Sequence, residues 1–551
     1  MAEYSADDLR LSGLQAKVES LPGLVSFVEP GSLELLSADG STIIGNTLGH
    51  SRSTPEGGVT AELVYVGSGG MDDYGDQEVR GRIVLCELSY APARHEKQRI
   101  AAERGAVGAV MMNWGPPDNT AIPYGSVKSA WGNPTARELA TEMPKIPCLG
   151  ISRTDGLRLR EACARAPLNA RLRTRATDEW RTLHITTAEV SAEAATESIL
   201  LGGHQDSWPG PAATDNAAGT ACILELARVF NQHRHLLRRN LMIGLWTAHE
   251  TGTMVGSTWF CERNWDVLRD RLVAYVQVDQ AACTGTTRWG TTSTLELRRF
   301  HQAVERAHLP DRDIVWYRQK KSGDASFFGL GIPMMHGEGV FTDEELRHTA
   351  QANVGWWHHS LACTLDKVDF TWLAQHLRVY AAYLWGLCTA PILPFDLAAP
   401  ADAIVARLLE LAPAGRELGL DILLNRAERY RECVASFDAL AQAQAGAGPG
   451  TPDEEALALI NTTVRGLNRL VIPMTNTIKG AYGHDPYGIT AQSSVLPALY
   501  DVPKFGVLPA GPERWMLETE LLRARNRIAD TLGEAEAMAA GALERLKRLT
   551  P

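Results

Sequence analysis

A short apolar run leads into a stretch whose side chains could bind a metal ion, GGHQDSWPGPAATDNAAG (202–219). The run ends just before His204, and Asp215 lies where an apolar-periodic, helix-like segment begins. Imidazole and carboxylate groups at the carboxyl end of a strand suit a divalent metal ion. Asp206 is placed to hold the other imidazole nitrogen of His204. The same residues also fit a polar loop with a helix-capping aspartate. This stretch alone does not distinguish a metal site from such a loop.

Further potential ligands follow later apolar runs of buried-strand length. They are His249 and Glu250 after residues 241–248, Asp279 at the end of residues 272–279, and the pair His358 and His359 in a later loop. Because sites in open α/β sheets form outside the carboxyl ends of the strands, these residues are expected to converge. The expected metal ligands are His204, Asp215, Glu250, Asp279 and one of the two loop histidines.

The elements that must position these residues alternate between strand and helix from about residue 180 to 395. This alternation predicts an α/β fold with a mostly parallel, mixed sheet and helices on both faces. We place a catalytic domain at residues 1–54 and 179–397. A separate α/β module, expected at 55–178, carries no cluster of His, Asp or Glu that could do chemistry. We interpret it as a lid or a module that shapes the substrate site.

Residues 398–551 have helical periodicity, for example Ile404, Leu408 and Leu411. A small-residue linker (441–450) precedes a capping box, Thr451 to Glu454. Amphipathic helices appended to a catalytic domain suggest a homodimer. The Gly/Pro-rich loop 481–488 is either a plain connection or a segment that reaches a neighbouring site.

Composition excludes several classes of function. The 551 residues carry a net charge of −11 and no basic run, so nucleic acid and anionic membrane surfaces are not expected partners. The first residues lack the pattern of a signal peptide, and no apolar stretch is long enough to span a bilayer. The nine cysteines form no CxxC pair. We expect a cytoplasmic protein that acts on a small molecule or short peptide.

With these residues identified, the chain resembles the co-catalytic dizinc aminopeptidase family, and within it the branch of glutamate carboxypeptidase and the transferrin receptor. The resemblance covers almost the whole chain and rests on motifs in the family's order: GGHQDSW, TDNAAG, Glu250 with GSTWF, VD at Asp279, GLGIP, and HHS followed by TLDKVD. It implies that the module at 55–178 is a protease-associated domain and that residues 398–551 form a helical dimerisation domain.

The resemblance also implies roles for the metal ligands. Asp215 would bridge two zinc ions, His204 and Asp279 would complete the ligands of one ion, and Glu250 and His359 those of the other. His359 is chosen over His358 because its spacing to TLDKVD matches the family pattern. Two ions are expected, although one ion or another divalent metal is an alternative. Such a pair lowers the pKa of a water molecule and polarises a carbonyl group.

One catalytic position departs from the family pattern. The family's general base is the first Glu of Ala-Glu-Glu-x-Gly, whereas here the run is Ala248-His249-Glu250-Thr251-Gly252. Three interpretations follow. His249 could act as the base of a peptide or amide hydrolase, it could serve a metal-dependent lyase or other chemistry on an amino-acid-like metabolite, or the protein could be a non-catalytic binder like the transferrin receptor. We favour the hydrolase, with His249 and Asp206 as catalytic residues.

The substrate side departs as well. Pro486 stands where glutamate-releasing relatives carry a Lys, while Tyr487 is retained. An acidic segment precedes the two loop histidines and would favour cationic groups; it contains Glu338, Asp343, Glu344 and Glu345. We therefore expect a substrate that is not acidic, with His358, Tyr487 and Trp357 among the substrate-binding residues.

Overall fold

The computed structural model describes residues 1–36, 40–446 and 454–549. The strands in these ranges are β1 (Lys17–Val28), β2 (Pro30–Leu35), β3 (Thr42–Thr47), β4 (Val59–Tyr65), β5 (Ile83–Glu87), β6 (Gly108–Met112), β7 (Cys148–Ile151), β8 (Leu168–Arg173), β9 (Ala176–Val190), β10 (Ser198–His204), β11 (Asn240–Trp246), β12 (Leu272–Gln277), β13 (Arg288–Ser293), β14 (Ile314–Arg318) and β15 (Met334–Val340).

The α-helices in the same ranges are α1 (Ala2–Leu11), α2 (Arg94–Glu103), α3 (Ala136–Thr141), α4 (Arg153–Arg165), α5 (Ala218–Gln232), α6 (Val255–Arg263), α7 (Trp265–Arg271), α8 (Arg298–His308), α9 (Asp343–His348), α10 (Phe370–Thr389), α11 (Ala398–Leu411), α12 (Leu420–Gly446), α13 (Glu454–Asn476), α14 (Val502–Val507) and α15 (Pro512–Leu549). None of the helices in the described ranges is both long enough and apolar enough to cross a membrane.

An eight-stranded mixed sheet carries the candidate ligands, in the order β1-β9-β11-β10-β12-β15-β13-β14. Its centre is parallel: β10 lies between β11 and β12, and β12 pairs with β15. Ile199 and Leu201 pack into one core with α5 and α10, whereas Leu200 packs into a second core with α6 and α7. Burial of alternate side chains on opposite faces explains the continuous apolar runs. The predicted mixed sheet with helices on both faces is confirmed.

A closed seven-stranded barrel is inserted between β1 and β9, in the order β2-β3-β7-β6-β5-β4-β8. The chain leaves the large sheet at Val28 and returns at Ala176, and these two residues are paired partners. The inserted domain therefore comprises residues 29–175, and the predicted start at residue 55 is wrong. Strands β2 and β3 pair with β8 and β7 of the barrel, which sequence periodicity within 1–54 cannot reveal.

The C-terminal helices form a bundle in which α15 packs along α12 and α13, and α11 packs on α12. The residues predicted at helical spacing, Ile404, Leu408 and Leu411, are buried. Their core is continuous with that of α5 and α10, so the bundle is fused to the large sheet. Thr451 to Asp453, the first residues of the predicted capping box, and residues 447–450 of the linker lie outside the described residues.

The loop between α13 and α14 contacts the barrel rather than simply joining two helices. Lys479 forms ion pairs with Glu138 and Glu142 of the barrel, each at 2.9 Å. The backbone N–H of Tyr487 donates to the carbonyl of Ser129 at 2.7 Å. Of the two interpretations of residues 481–488, the structure supports a segment that reaches a neighbouring site.

Candidate active site

The first group of candidate ligands meets at the carboxyl ends of β10 and β12. His204 is the last residue of β10, and its Nε2 lies 3.1 Å from Asp215 Oδ1 and 3.3 Å from Asp279 Oδ1. All three residues are buried. Their ligand atoms lie within 4.8 Å of one another, a spacing suited to a single metal ion.

The second group lies on the other side of Asp215. The other carboxylate oxygen, Oδ2, is 3.1 Å from His359 Nε2, which is itself 2.9 Å from Glu250 Oε1. Asp215 thus directs one oxygen to each group, the arrangement that a bridging carboxylate requires. The structure brings together all five residues predicted as ligands.

Charge favours cations at this site. Burial raises the pKa of Asp215, but contacts with His358, His204 and His359 outweigh burial and hold that pKa well below its usual range. Burial lowers the pKa of His204, but Asp279 and Asp215 outweigh it and raise that pKa well above the usual value. The charged forms of His204 and Asp215 therefore stabilise each other in the metal-free site. A metal ion that binds there displaces the proton of His204, and the ligand atoms already lie close to one another.

Neighbouring groups fix the orientation of the ligands. Trp208 Nε1 donates to Glu250 Oε2 at 2.8 Å, and the backbone N–H of Gln280 donates to Asp279 Oδ1 at 2.8 Å. The carboxylate of Asp206 accepts the backbone N–H groups of His249 and Glu250, each at 3.2 Å. His204 Nδ1 lies 2.9 Å from the backbone carbonyl oxygen of Asp206 and 3.7 Å from its carboxylate.

The carboxylate of Asp206 does not make the close contact with His204 that we predicted. Its carboxylate points to the segment that follows β11, because the backbone N–H groups of His249 and Glu250 are available there as donors. The carbonyl oxygen of the same residue takes the place predicted for the carboxylate beside the imidazole. Asp206 is thus a residue that shapes the segment carrying His249 and Glu250.

His249 lies against the first group of ligands. Its ring stacks on that of His204, with centroids 4.0 Å apart, and its Nδ1 lies 3.1 Å from Oδ2 of the buried Asp324. Burial and His204 lower the pKa of His249, but Asp324 and Glu250 raise it to about 9. Asp324 was not identified from the sequence. The only available signal is an aspartate in a glycine-containing segment just before GLGIP (329–333).

Four of the five ligands line a cavity of about 160 Å³ that is built from three parts of the chain. The large sheet contributes these ligands, which are all but His204, and also His249; the loop after α13 contributes Tyr487, and the barrel contributes Arg94, His95 and Ser126. Arg94, the first residue of α2, has its Nη1 3.2 Å from His359 Nδ1. No sequence signal identified Arg94, because it lies 265 positions before His359 in the sequence.

The predicted substrate-binding residues lie in different places. His358 and Tyr487 line the cavity, and Tyr487 packs against His95 with ring centroids 4.1 Å apart. Trp357 does not line it: the indole is buried against Cys283 and Cys363 and donates to Thr214. The prediction for Trp357 therefore needs correction, since packing of the loop explains this residue.

The acidic segment does not form the rim that we expected. None of Glu338, Asp343, Glu344 and Glu345 is among the described residues that line the cavity. Three of them occupy the first turn of α9, where Glu345 completes a capping box with Thr342 and Asp343 pairs with Arg288. The structure therefore assigns the charges of Asp343, Glu344 and Glu345 to a helix start rather than to substrate attraction, whereas Glu338 lies within β15.

Two families match this chain. Residues 185–384 match peptidase family M28, and residues 59–159 match the PA domain. The first match contains all five candidate ligands, and the second lies within the barrel.

Relatives of this chain agree with these matches. The chain is 26% identical over 431 residues to "Probable lipoprotein aminopeptidase LpqL" of Mycobacterium tuberculosis, covering 71% of this chain and 81% of that protein. It is 24% identical over 477 residues to "Probable glutamate carboxypeptidase VP8" of Zea mays, covering 70% of this chain and 63% of that protein. It is 28% identical over 247 residues to "Leucine aminopeptidase 2" of Arthroderma otae, which covers 46% of that protein. The chain thus spans less than two thirds of the last two relatives.

Solved structures share the fold. A peptidase M28 precursor from Shewanella amazonensis superposes with a TM-score of 0.55 at 20% identity, covering 70% of this chain and 87% of that one. BSAP, a zinc aminopeptidase from Bacillus subtilis, gives a TM-score of 0.53 at 20% identity, covering 70% and 88%. The resemblance to aminopeptidases and glutamate carboxypeptidases drawn from the sequence is confirmed.

Proposed function

We propose, for a chain that carries a peptidase family M28 domain and a PA domain, that it is a metal-dependent hydrolase of peptide or amide bonds in small substrates. One observation carries the proposal most directly. Asp215 directs one carboxylate oxygen toward His204 and the other toward His359, so two cation sites share one residue. Sites that share a carboxylate in this way suit hydrolysis assisted by two metal ions.

The residues present fit a pair of divalent ions, for which zinc is our first candidate. Imidazole nitrogen and carboxylate oxygen are the ligands that zinc accepts in catalytic sites. His204, Asp215 and Asp279 would hold one ion, and Asp215, Glu250 and His359 the other. When bound, such ions lower the pKa of a water molecule and polarise a carbonyl group.

We assign proton transfer to His249, held in position by Asp324. The carboxylate of Asp324 lies beside Nδ1, so it fixes the ring and leaves Nε2 as the atom that exchanges a proton with the reactants. The stacked contact with His204 places that ring next to the first group of ligands. With a pKa of about 9, His249 is charged at neutral pH in the metal-free protein. Bound cations would lower that pKa, and the neutral ring would then receive a proton from the attacking water and deliver it to the leaving amine, the task of a general base and acid.

Arg94 supports a substrate that carries a carboxylate. When His359 binds a metal through Nε2, its Nδ1 carries hydrogen and cannot accept a hydrogen bond from Arg94. The guanidinium then faces the cavity without that partner and is suited to a carboxylate of the substrate. Among the described residues that line the cavity, Arg94 is the only Arg or Lys, so we propose that a second acidic group on the substrate is not accommodated.

The predicted homodimer is also a proposal, and the helical domain supports it. Val507, Trp515 and Met516 lie close together in sequence at α14 and α15 and are exposed by 83%, 58% and 67%. Apolar side chains of this size are typical of association surfaces. Sedimentation of the full chain, compared with a Trp515→Glu variant, would test it; a monomeric parent chain would refute it.

The function is tested by metal content and product analysis. We expect protein purified without chelator to contain zinc by mass spectrometry and to release free amino acids from a dipeptide panel. In water enriched in oxygen-18, a hydrolase places the isotope in the released carboxylate, whereas a lyase does not. His249→Ala should lower kcat by about 10²–10⁴-fold while metal content stays constant. A chain that binds no metal and cleaves nothing would leave the non-catalytic binder as the better explanation.

A further inference from the structure

We propose that His358 is an additional metal ligand, so that four side chains hold the second ion: Asp215, Glu250, His358 and His359. This inference rests on the proposed function and adds a residue to its site. In the resemblance drawn from the sequence, only His359 of the two adjacent histidines has a ligand role.

The first support is the position of the His358 ring. Its Nδ1 lies 3.1 Å from Asp215 Oδ2, the same oxygen that lies 3.1 Å from His359 Nε2. The three ligand atoms lie within 4.8 Å of one another. One carboxylate oxygen with two imidazole nitrogens beside it is a donor set that binds zinc and other first-row metals.

The second support is the backbone that brings two neighbouring residues to one point. His359 has a positive φ of 56°, a conformation that non-glycine residues rarely adopt. This turn stacks the two imidazole rings, with centroids 3.8 Å apart. His358 then presents Nδ1 and His359 presents Nε2 to the same side. Strain at a functional site persists when the surroundings fix it.

The third support is the packing that holds the loop. Trp357, the residue before His358, is buried and donates to Thr214, the residue before Asp215. Asn119 of the barrel lies with its Nδ2 3.4 Å from the carbonyl oxygen of Trp356. The loop is thus tied to the segment that carries the shared carboxylate, so His358 is held in place as a metal ligand must be.

Another role for His358 would account for part of this geometry. His358 Nδ1 could donate a hydrogen bond to Asp215, and Gln280 Nε2 lies 3.4 Å from the same nitrogen. A hydrogen-bond donor and a metal ligand make opposite demands on Nδ1, since the first needs a hydrogen and the second a lone pair. This difference gives the proposal its test.

The consequence is a difference between the two metal sites. The first ion has three side chains, His204, Asp215 and Asp279, whereas the second has four with two imidazoles. Sites with more protein ligands leave fewer positions for water and substrate. We therefore expect the second ion to bind more tightly, and the first, next to His249, to be the one that exchanges water and substrate.

The experiment is a zinc titration of metal-free, full-length protein, followed by calorimetry and by competition with a chromophoric chelator. We expect two steps, and His358→Asn should weaken the tighter step by about tenfold or more. Asparagine is the informative change because its side-chain amide donates a hydrogen close to the position of Nδ1 but does not replace an imidazole ligand. His358→Phe, which retains a stacked ring, should weaken the same step.

His95→Asn is the matched control, because it removes an imidazole that lines the same cavity against Tyr487. Its zinc titration should match that of the parent chain. The absorption spectrum of bound cobalt should change in the His358 variants and not in the control, and thermal unfolding of the metal-free proteins shows that each variant is folded. Unchanged affinity and spectrum in His358→Asn would overturn this inference alone. Absence of any metal binding by the parent chain would overturn the proposed function too.

Discussion

Asp324→Asn should lower the pKa of His249 from about 9 to 6.5 or below in metal-free protein. Relative to the ordinary value of 6.5, a pKa of about 9 corresponds to a preference of about 3.4 kcal/mol for the charged imidazole. Burial and His204 act in the opposite direction, so the preference depends on carboxylates, of which Asp324 has the largest effect. Asparagine retains the size of the side chain and removes its charge, leaving burial to lower the pKa.

The measurement is the titration of the His249 imidazole by heteronuclear NMR in chelator-treated protein. His249→Ala identifies the resonance by its disappearance. His376, which is buried away from the cavity, serves as an internal control whose titration should not change. If His249 still titrates near 9 in Asp324→Asn, the Asp324 carboxylate is not the cause, and the role assigned to this pair is refuted.

The same variant has a kinetic consequence. Asp324 contacts the ring nitrogen away from the reactants, so it acts as a positioning residue. We expect kcat to fall by about 10²–10⁴-fold, as for loss of general acid–base catalysis, while KM changes little. The pH dependence of kcat should shift as well, which a merely structural defect would not produce. Asp324→Glu, which retains the charge, should recover part of the activity.

Two other predictions concern the substrate and stability. Arg94→Gln should raise KM by about 10–100-fold for substrates with a free carboxylate, because it removes a hydrogen bond between charged groups. It should leave KM unchanged for amidated analogues. Equal effects on both kinds of substrate in steady-state kinetics would refute carboxylate binding. Burial lowers the pKa of His376 to about 3, so below pH 6.5 the unfolded chain binds a proton that the native protein does not, and stability falls as the pH decreases from 6.5 towards 3. Between pH 7 and 4.5, the free energy of unfolding measured with urea should fall by about 2.5 kcal/mol less for His376→Phe than for the parent chain, and an equal fall would contradict the assignment.

The ligands could be predicted because local signals specify them. His204, Glu250 and Asp279 each follow an apolar run, and such runs form adjacent parallel strands whose ends meet. Asp215 and His359 needed the motif order as well, since they lie in irregular segments. Periodicity also identified the C-terminal helices, because their buried positions repeat along a single element.

Residues whose role depends on pairing between distant segments could not be predicted. Strand β2 begins at Pro30, directly after β1, and nothing in residues 30–47 shows that the partners are strands β7 and β8 more than 100 residues later. Trp357 was assigned to the substrate from its neighbour His358, whereas in the structure its indole is buried against Cys283 and Cys363 and does not line the cavity. The acidic residues of α9 were interpreted from charge alone, without the helix start that uses them.

Arg94 shows why the complete site follows from the architecture and not from any one domain. The barrel is joined to the large sheet through two strands that are paired from Lys17 to Val28, so its base is fixed to the sheet. Its far side is held by the loop after α13, through Lys479 and the backbone of Tyr487. A guanidinium on a domain restrained at both sides has a defined position over the ligands. The inserted barrel, which carries no ligand cluster of its own, can therefore take part in substrate selection.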